Sequence, residues 1–249
     1  MFQLLVKNLF QKIGIELRRL RKIDPLKQKI PVEMRQLYWL KQLQIETVID
    51  IGANIGQFAN GIRKLLPNAK ILSFEPLPSC YQQLVTSTQE DPNLKAFNLA
   101  LGDETGKIKI YQNEFSPSSS LLPLAELHKT TFPFAQDVLE LDVEIVRLDD
   151  ISLTLELSEP ILIKLDVQGF EDRVIEGGIS VFSRASIIII ELSIVPLYEG
   201  QHLFDKIYQK LISLGFLYYG NLDQAADGDG NILYVDSIFV KDKITKRSE

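Results

Sequence analysis

Cysteine is nearly absent from this chain: Cys80 is the single one in 249 residues. That excludes an internal disulfide and any cysteine-rich zinc site, and it fits a reducing cytoplasm, the expected location. Cys80 falls where a helix is expected to begin, a place where a thiol can be activated, but a lone cysteine reads as packing filler. Histidine is scarce too. His128 and His202 have no H-x-x-H spacing and no nucleophile beside them, so both read as surface or loop residues, His128 lying nearer the expected acceptor side. No apolar run reaches the ~18–20 residues that span a bilayer. The opening MFQLLVKNLFQK lacks a long apolar core and a small-residue cleavage site, so neither export nor membrane spanning is expected.

Positive charge is missing from most of the chain. The net charge is −6, yet residues 1–41 hold ten Lys or Arg against three acids, which leaves the remainder at −13. An acidic body argues against a nucleic-acid partner, whose phosphates demand a basic face. Within the basic segment Phe2, Leu5, Leu9, Ile13, Leu17 and Leu20 recur at helical spacing, with Lys and Arg elsewhere around the helix. That pattern suits peripheral contact with a membrane surface or docking onto the main body. Gly14 weakens the helix and no lipidation motif accompanies it, which favours docking. Residues 1–41 therefore read as a basic helical extension and residues 42–249 as one domain. The sequence carries no signal for an oligomeric state.

What is present is an alternation of apolar strands and amphipathic helices. Pro25 and Pro31 break the first helical pattern, and a second stretch from Val32 to Gln44 leads to a strand at Val48. A helix over 79–88 and a strand over 94–99 follow. Ile108–Tyr111 and Val143–Leu148 alternate apolar and polar residues, which predicts a small added hairpin or sheet edge. Continuous apolar runs at Ile161–Asp166 and Ile187–Leu192 suit the middle of a parallel sheet. A helix over 203–214 and two strands at 216–219 and 237–240 are expected to close it as an antiparallel pair. Asp227, Asp229 and Asn231 hint at a calcium loop, but Ile232 and Ile238 stand where Gly and a bidentate acid are required, so the stretch reads as a turn.

The chemistry concentrates at expected strand ends. VIDIGANIGQF is a strand followed by a glycine turn, and Glu75 lies 23 residues after Gly52, at the end of strand two. An acid there can accept hydrogen bonds from ribose hydroxyls, while the turn lets backbone approach a ligand closely. The G-x-x-x-G spacing departs from the G-x-G-x-x-G of dinucleotide sites, which favours an adenosyl ligand without a pyrophosphate. Any α/β protein can carry glycine after a strand, so the turn alone does not decide. In IKLDVQGFE, Lys164, Asp166, Gln168 and Glu171 crowd a strand-to-helix turn, costly unless water or a ligand satisfies them; a salt bridge with a helix cap is the bland alternative.

VIDIGANIGQF, SFEP, NLALGDETG and IKLDVQGFE, in that order over residues 48–171, resemble the FkbM family of S-adenosylmethionine-dependent methyltransferases. The resemblance implies an α/β, Rossmann-like class I methyltransferase fold: a three-layer sandwich around a mostly parallel seven-stranded sheet with an antiparallel last strand. It also implies O-methylation of a hydroxyl on a sugar, glycan or natural product. Matched residue by residue, Asp50, Gly52, Asn54 and Gly56 correspond to the cofactor loop and Glu75 to the ribose acid. Asn98 and Ala100 correspond to the adenine wall, and Asp166 and Glu171 to the fourth motif. Asp166 is the first choice of base, or of Mg²⁺ ligand with Glu171 and Glu191 completing an oxygen-rich site. Glu191 reads equally well as a strand-end acid facing solvent, and Lys164 either orients the acceptor or neutralises Asp166.

Two other readings stay open. An NAD-dependent sugar oxidoreductase or epimerase would use the same fold, though no Tyr here is followed four residues later by Lys. A catalytically inactive adenosyl-binding module would keep the fold without the need for Glu75, Asp166 and Glu171 together. The N/D-P-P-Y clamp of nucleic-acid amino methylation is absent.

Overall fold

The computed structural model describes residues 31–113, 116–132 and 138–241. The basic helix expected before residue 31 lies outside the described residues. Among the described residues ten strands are present: β1 Thr47–Ile51, β2 Lys70–Phe74, β3 Leu94–Phe97, β4 Ala100–Leu101, β5 Gly106–Asn113, β6 Val138–Val146, β7 Ile161–Leu165, β8 Ile187–Ser193, β9 Phe216–Ala226 and β10 Ile232–Lys241. Six α-helices of six residues or more accompany them there: α1 Gln57–Arg63, α2 Pro78–Thr88, α3 Glu126–Thr131, α4 Glu171–Gly177, α5 Ile179–Arg184 and α6 Phe204–Ser213.

Seven strands form one sheet in the order β3-β2-β1-β7-β8-β10-β9, parallel except for β10, which runs antiparallel to both neighbours. The chain builds outward from β1 to β3, then returns to the other side of β1 with β7. That reversal opens a crevice beyond the carboxyl ends of β1 and β7, the ligand position of open α/β sheets. Register then sets the site. Ile51 pairs with Phe74 on one side and Leu165 on the other, and Leu165 pairs with Ile190. The next residues, Gly52, Glu75, Asp166 and Glu191, therefore leave four neighbouring strands at one level.

Alternation along the buried strands divides the core in two. Ile49, Ile51, Ile163 and Leu165 face one helical layer with Val174, Phe182 and Leu211. Val48, Ile71 and Leu162 face the other with Ile62 and Leu65. Both faces are apolar, as a sheet covered on both sides requires. The helical stretch expected near Val32 to Gln44 is a 3-10 helix, Val32–Leu43, ended by Gln44 in the left-handed region. Met34, Leu37 and Leu40 carry it into the second core, so this part of the expected extension packs on the domain body.

The added hairpin is present as β5 and β6, antiparallel over Gly106–Asn113, with β4 completing a three-stranded sheet. Strands β9 and β10 run well beyond the expected 216–219 and 237–240, because β9 is an edge strand whose exposed, mixed residues give no apolar signal. Asp227 ties the turn between them: its carboxylate accepts from the backbone N–H of Asp229 and Asn231. Among the described residues, no helix is long and apolar enough to cross a membrane.

Candidate active site

A cavity of about 670 Å³ lies over the carboxyl ends of β1, β2, β7 and β8. Its floor begins at the turn after β1. Gly52 has φ +78, and a Cβ there would come within 1.8 Å of the Asp166 carbonyl oxygen, so no side chain fits between the two strand ends. Asn54 also adopts a left-handed conformation, φ 48, which asparagine tolerates better than most residues. Gly56, at φ 92, starts α1 and faces Leu84 and Ser87, away from the cavity lining.

Glu75 lines the cavity at the end of β2, 5% exposed. One carboxylate oxygen accepts the Asn54 N–H at 2.8 Å and the other the Leu77 N–H at 2.8 Å. Each oxygen keeps lone-pair capacity for a ligand. Burial pushes this carboxyl up to about 7, against the pull of those two amides. Asp50 is fully buried beneath the turn and does not line the cavity. Burial raises it to about 6, Lys164 opposing, and its Oδ1 has no hydrogen-bond partner among the described residues. Ala100 is in the cavity wall with Leu99 and Leu101.

Asn98 differs from expectation. Its amide donates to the backbone carbonyls of Glu75 and Pro76, and the residue does not line the cavity. It fastens the segment after β2 in place of forming an adenine wall.

On the other side, Lys164, Asp166 and Glu191 line the cavity together. Lys164 Nζ donates to Asp166 Oδ2 at 3.0 Å and to the Gly52 carbonyl at 3.3 Å. Burial would lower the ammonium, but Asp166 and Asp50 outweigh it and carry Lys164 to about 12. Burial, then the neighbouring Asp166, Glu171 and Asp236, push Glu191 well above the ordinary carboxylate range.

Gln168, which the sequence reading notes only as one of a crowded group, proves to be the hub. Its Nε2 donates to Asp166 Oδ1 at 2.7 Å and to Glu191 Oε1 at 3.0 Å. Its Oε1 accepts the Tyr198 hydroxyl at 2.7 Å, and its carbonyl accepts Ser120 Oγ at 2.6 Å. The residue sits at φ 56, a strained position for a non-glycine that these four bonds hold.

Glu171 is a second correction. It does not line the cavity; its Oε1 accepts the backbone N–H of Val167 and Gly169, at 3.1 and 3.2 Å, closing the loop onto the first turn of α4. The oxygen-rich magnesium site around Asp166, Glu171 and Glu191 is consequently not assembled. Among the described residues, no three His, Cys, Asp or Glu side chains are placed to hold a metal ion. Lys164 occupies the flank of Asp166, and backbone amides occupy Glu171.

The histidines part company. His202 is half exposed, with Nδ1 3.2 Å from Asp172. His128, expected at the surface, is 2% exposed and lines the cavity from α3. The serine-rich loop 116–120 forms the roof, Ser116 sharing a hydrogen bond with Asn54 across the cavity mouth.

A family model described as the Methyltransferase FkbM domain matches residues 50–218. The chain is 29% identical to the 2-O-methyltransferase NoeI of Sinorhizobium fredii, over 67% of this chain and 71% of that protein. It is 30% identical to the methyltransferase sdnD of Sordaria araneosa, over 52% of this chain and 59% of that protein. Among solved structures, the methyltransferase FkbM of Methylobacillus flagellatus aligns with a TM-score of 0.48 and 12% identity, covering 86% of this chain and 56% of that chain.

Proposed function

The chain belongs to the FkbM family of S-adenosylmethionine-dependent methyltransferases, and on that premise we propose that it methylates a hydroxyl oxygen of a sugar, glycan or natural product. The observation that carries the cofactor half is Glu75, a buried carboxylate lining the cavity beside a turn where only glycine fits. The cavity suits the adenosyl group in kind as well. Its volume lies inside the range of about 300–1,000 Å³ common to small-molecule sites, and Leu77, Leu99 and Ala100 supply apolar walls. Three carboxylates against one ammonium line it, which favours a cation.

S-adenosylmethionine supplies an electrophilic methyl group on a sulfonium. The chain's residues do the rest: Glu75 would hold the ribose hydroxyls, and the turn 52–56 would receive the aminoacyl end. Asp166 would take the proton of the acceptor hydroxyl, held in position by Lys164 and Gln168. Alignment of the two reactants supplies much of the acceleration. A small-molecule acceptor fits a cavity of this volume better than a nucleic acid would, given the acidic lining.

Calorimetric titration with S-adenosylmethionine, S-adenosylhomocysteine and NAD tests the cofactor. Both adenosyl ligands are expected to bind and NAD is not; binding of NAD alone would return Glu75 to an oxidoreductase's ribose clamp. Binding of the adenosyl ligands without methyl transfer to any hydroxylated acceptor would favour an inactive module.

Replacing Glu75 with alanine is expected to weaken S-adenosylmethionine binding by tenfold or more, since hydrogen bonds to a charged group contribute about 1.5–3 kcal/mol. Unchanged affinity would remove Glu75 from the site. The same residue sets a pH dependence. The carboxylate form accepts from hydroxyls, and its proton leaves only near pH 7, so affinity should rise between pH 6 and pH 8. Glu75→Gln should flatten that rise, a comparison calorimetry can make directly.

A further inference from the structure

The half of the cavity away from Glu75 is built by residues that no sequence motif marks. α3 brings the His128 imidazole into the wall, tilted against Tyr198 with ring centroids 5.3 Å apart and against Phe132 at 5.0 Å. These two rings fix its plane. Tyr198 itself is 2% exposed and committed through its hydroxyl to Gln168. Asp166 and Glu191 are engaged by the Gln168 amide, and Ser120 by the Gln168 carbonyl.

His128 is different. Of the buried polar side-chain atoms without a hydrogen-bond partner among the described residues, its Nδ1 is the one belonging to a cavity-lining residue. That nitrogen itself has no accessible surface, so a ligand meets the imidazole at the ring edge that lines the cavity. Resting on the methyl-transfer reading above, we infer that His128, Tyr198 and Phe132 form an acceptor subsite in which a neutral hydroxylated ring packs on the aromatic wall and hydrogen-bonds to His128. His128 is then a specificity-determining residue, and Tyr198 links the subsite to the Asp166–Gln168–Glu191 group.

The chemistry of the wall selects for a neutral ring. An anionic acceptor would approach Asp166 and Glu191. A cationic one would meet Asp166 already paired with the Lys164 ammonium. Burial keeps the imidazole below the ordinary histidine range, so it meets the ligand uncharged. The remaining surface is apolar, with Leu121 and Leu197 beside the rings, matching the hydrophobic face of a ring that carries its hydroxyls around the edge.

The chain holds two histidines, which makes the test direct. Protein labelled in the histidine rings is saturated with S-adenosylhomocysteine, checked by calorimetry, and followed by NMR while neutral methyl glycosides (glucoside, galactoside, mannoside) are added. Glucuronate and glucosamine serve as the charged comparison. The expected result is a saturable shift of the His128 signal by a neutral glycoside, with the exposed His202 signal unmoved. His128→Ala should weaken that glycoside about tenfold, a loss typical of one uncompensated hydrogen bond, and leave S-adenosylhomocysteine affinity intact. His128→Asn should recover part of the binding. If S-adenosylhomocysteine binds but no neutral glycoside moves His128, or a charged sugar binds better, the subsite is wrong and the methyltransferase reading stands. If S-adenosylhomocysteine itself does not bind, that reading fails first and the inference falls with it.

Discussion

Replacing Lys164 with methionine is expected to lower the unfolding free energy at pH 8 by about 1–3 kcal/mol, less than the roughly 3–5 kcal/mol of a fully buried ion pair because the Lys164 and Asp166 side chains stay 15% and 31% exposed. Lys164 stands on β7 among three acids: it donates to Asp166, and its charge also offsets Asp50 and Glu191. Methionine fills similar volume but leaves those carboxylates uncompensated. Asp50 is affected most, being fully buried with an oxygen already unpaired among the described residues. The sign of the pH dependence follows. Asp50 titrates at about 6 in the folded protein, above its usual value of 3.8, so the native state binds more protons than the unfolded chain in between. Stability therefore falls as pH rises through that window. Removing Lys164 raises the folded-state value further and extends the loss to higher pH, while Lys164 in the wild type stays charged throughout. The variant should lie closer to the wild type at pH 5 than at pH 8. Urea midpoints at the two pH values measure this, and a deficit that is equal at both would show that packing, not charge, is the cause.

The fold was legible because its central strands are uninterrupted apolar runs, and the site was legible in part because each of those runs ends on Gly52, Glu75, Asp166 or Glu191. Parallel pairing without slippage then places those residues side by side, something the pattern implies but does not state. Glu171 shows how local bonding hides a role. Glu171 is five residues from Asp166, and proximity along the chain suggested a common task. Its position in the first turn of α4 instead sends the carboxylate back to the Val167 and Gly169 amides, the local bonding that acids make at helix starts. Asn98 and Gln168, by contrast, draw their partners from afar: Asn98 reaches the Glu75 and Pro76 carbonyls, 23 and 22 residues back, and for Gln168 Glu191 is 23 residues away, Tyr198 is 30 and Ser120 is 48. No periodicity reports such pairings. His128 was missed for a related reason. It sits on a six-residue helix in the inserted segment, too short for an apolar face to reveal which side is buried.

Asp166→Asn is expected to lower kcat by about 10²–10⁴-fold, the usual contribution of a positioned general base, with S-adenosylmethionine affinity little changed. A hydroxyl is a weak nucleophile until its proton has somewhere to go. Two carboxylates reach the cavity near Lys164, and their surroundings divide the labour between them. Glu191 is partly buried among like charges, and desolvation followed by Asp166, Glu171 and Asp236 pushes its carboxyl well above the ordinary range. Asp166 is paired with an ammonium at 3.0 Å and oriented by the Gln168 amide at 2.7 Å, which fixes its carboxylate where it lines the cavity. Asparagine keeps the shape but removes the charge. It also turns an N–H₂ group toward either Lys164 or Gln168, both donors, so the network cannot reform around it. On the proposed reading the cofactor is held by Glu75 and the glycine turn, on the opposite side of β1, so affinity should survive. Turnover of a neutral methyl glycoside, measured beside calorimetric binding, separates the two quantities. A loss confined to kcat supports Asp166 as the base. Near-normal kcat in Asp166→Asn together with a collapse in Glu191→Gln would move the role to Glu191, and parallel losses of kcat and cofactor affinity would make Asp166 a structural partner of Lys164.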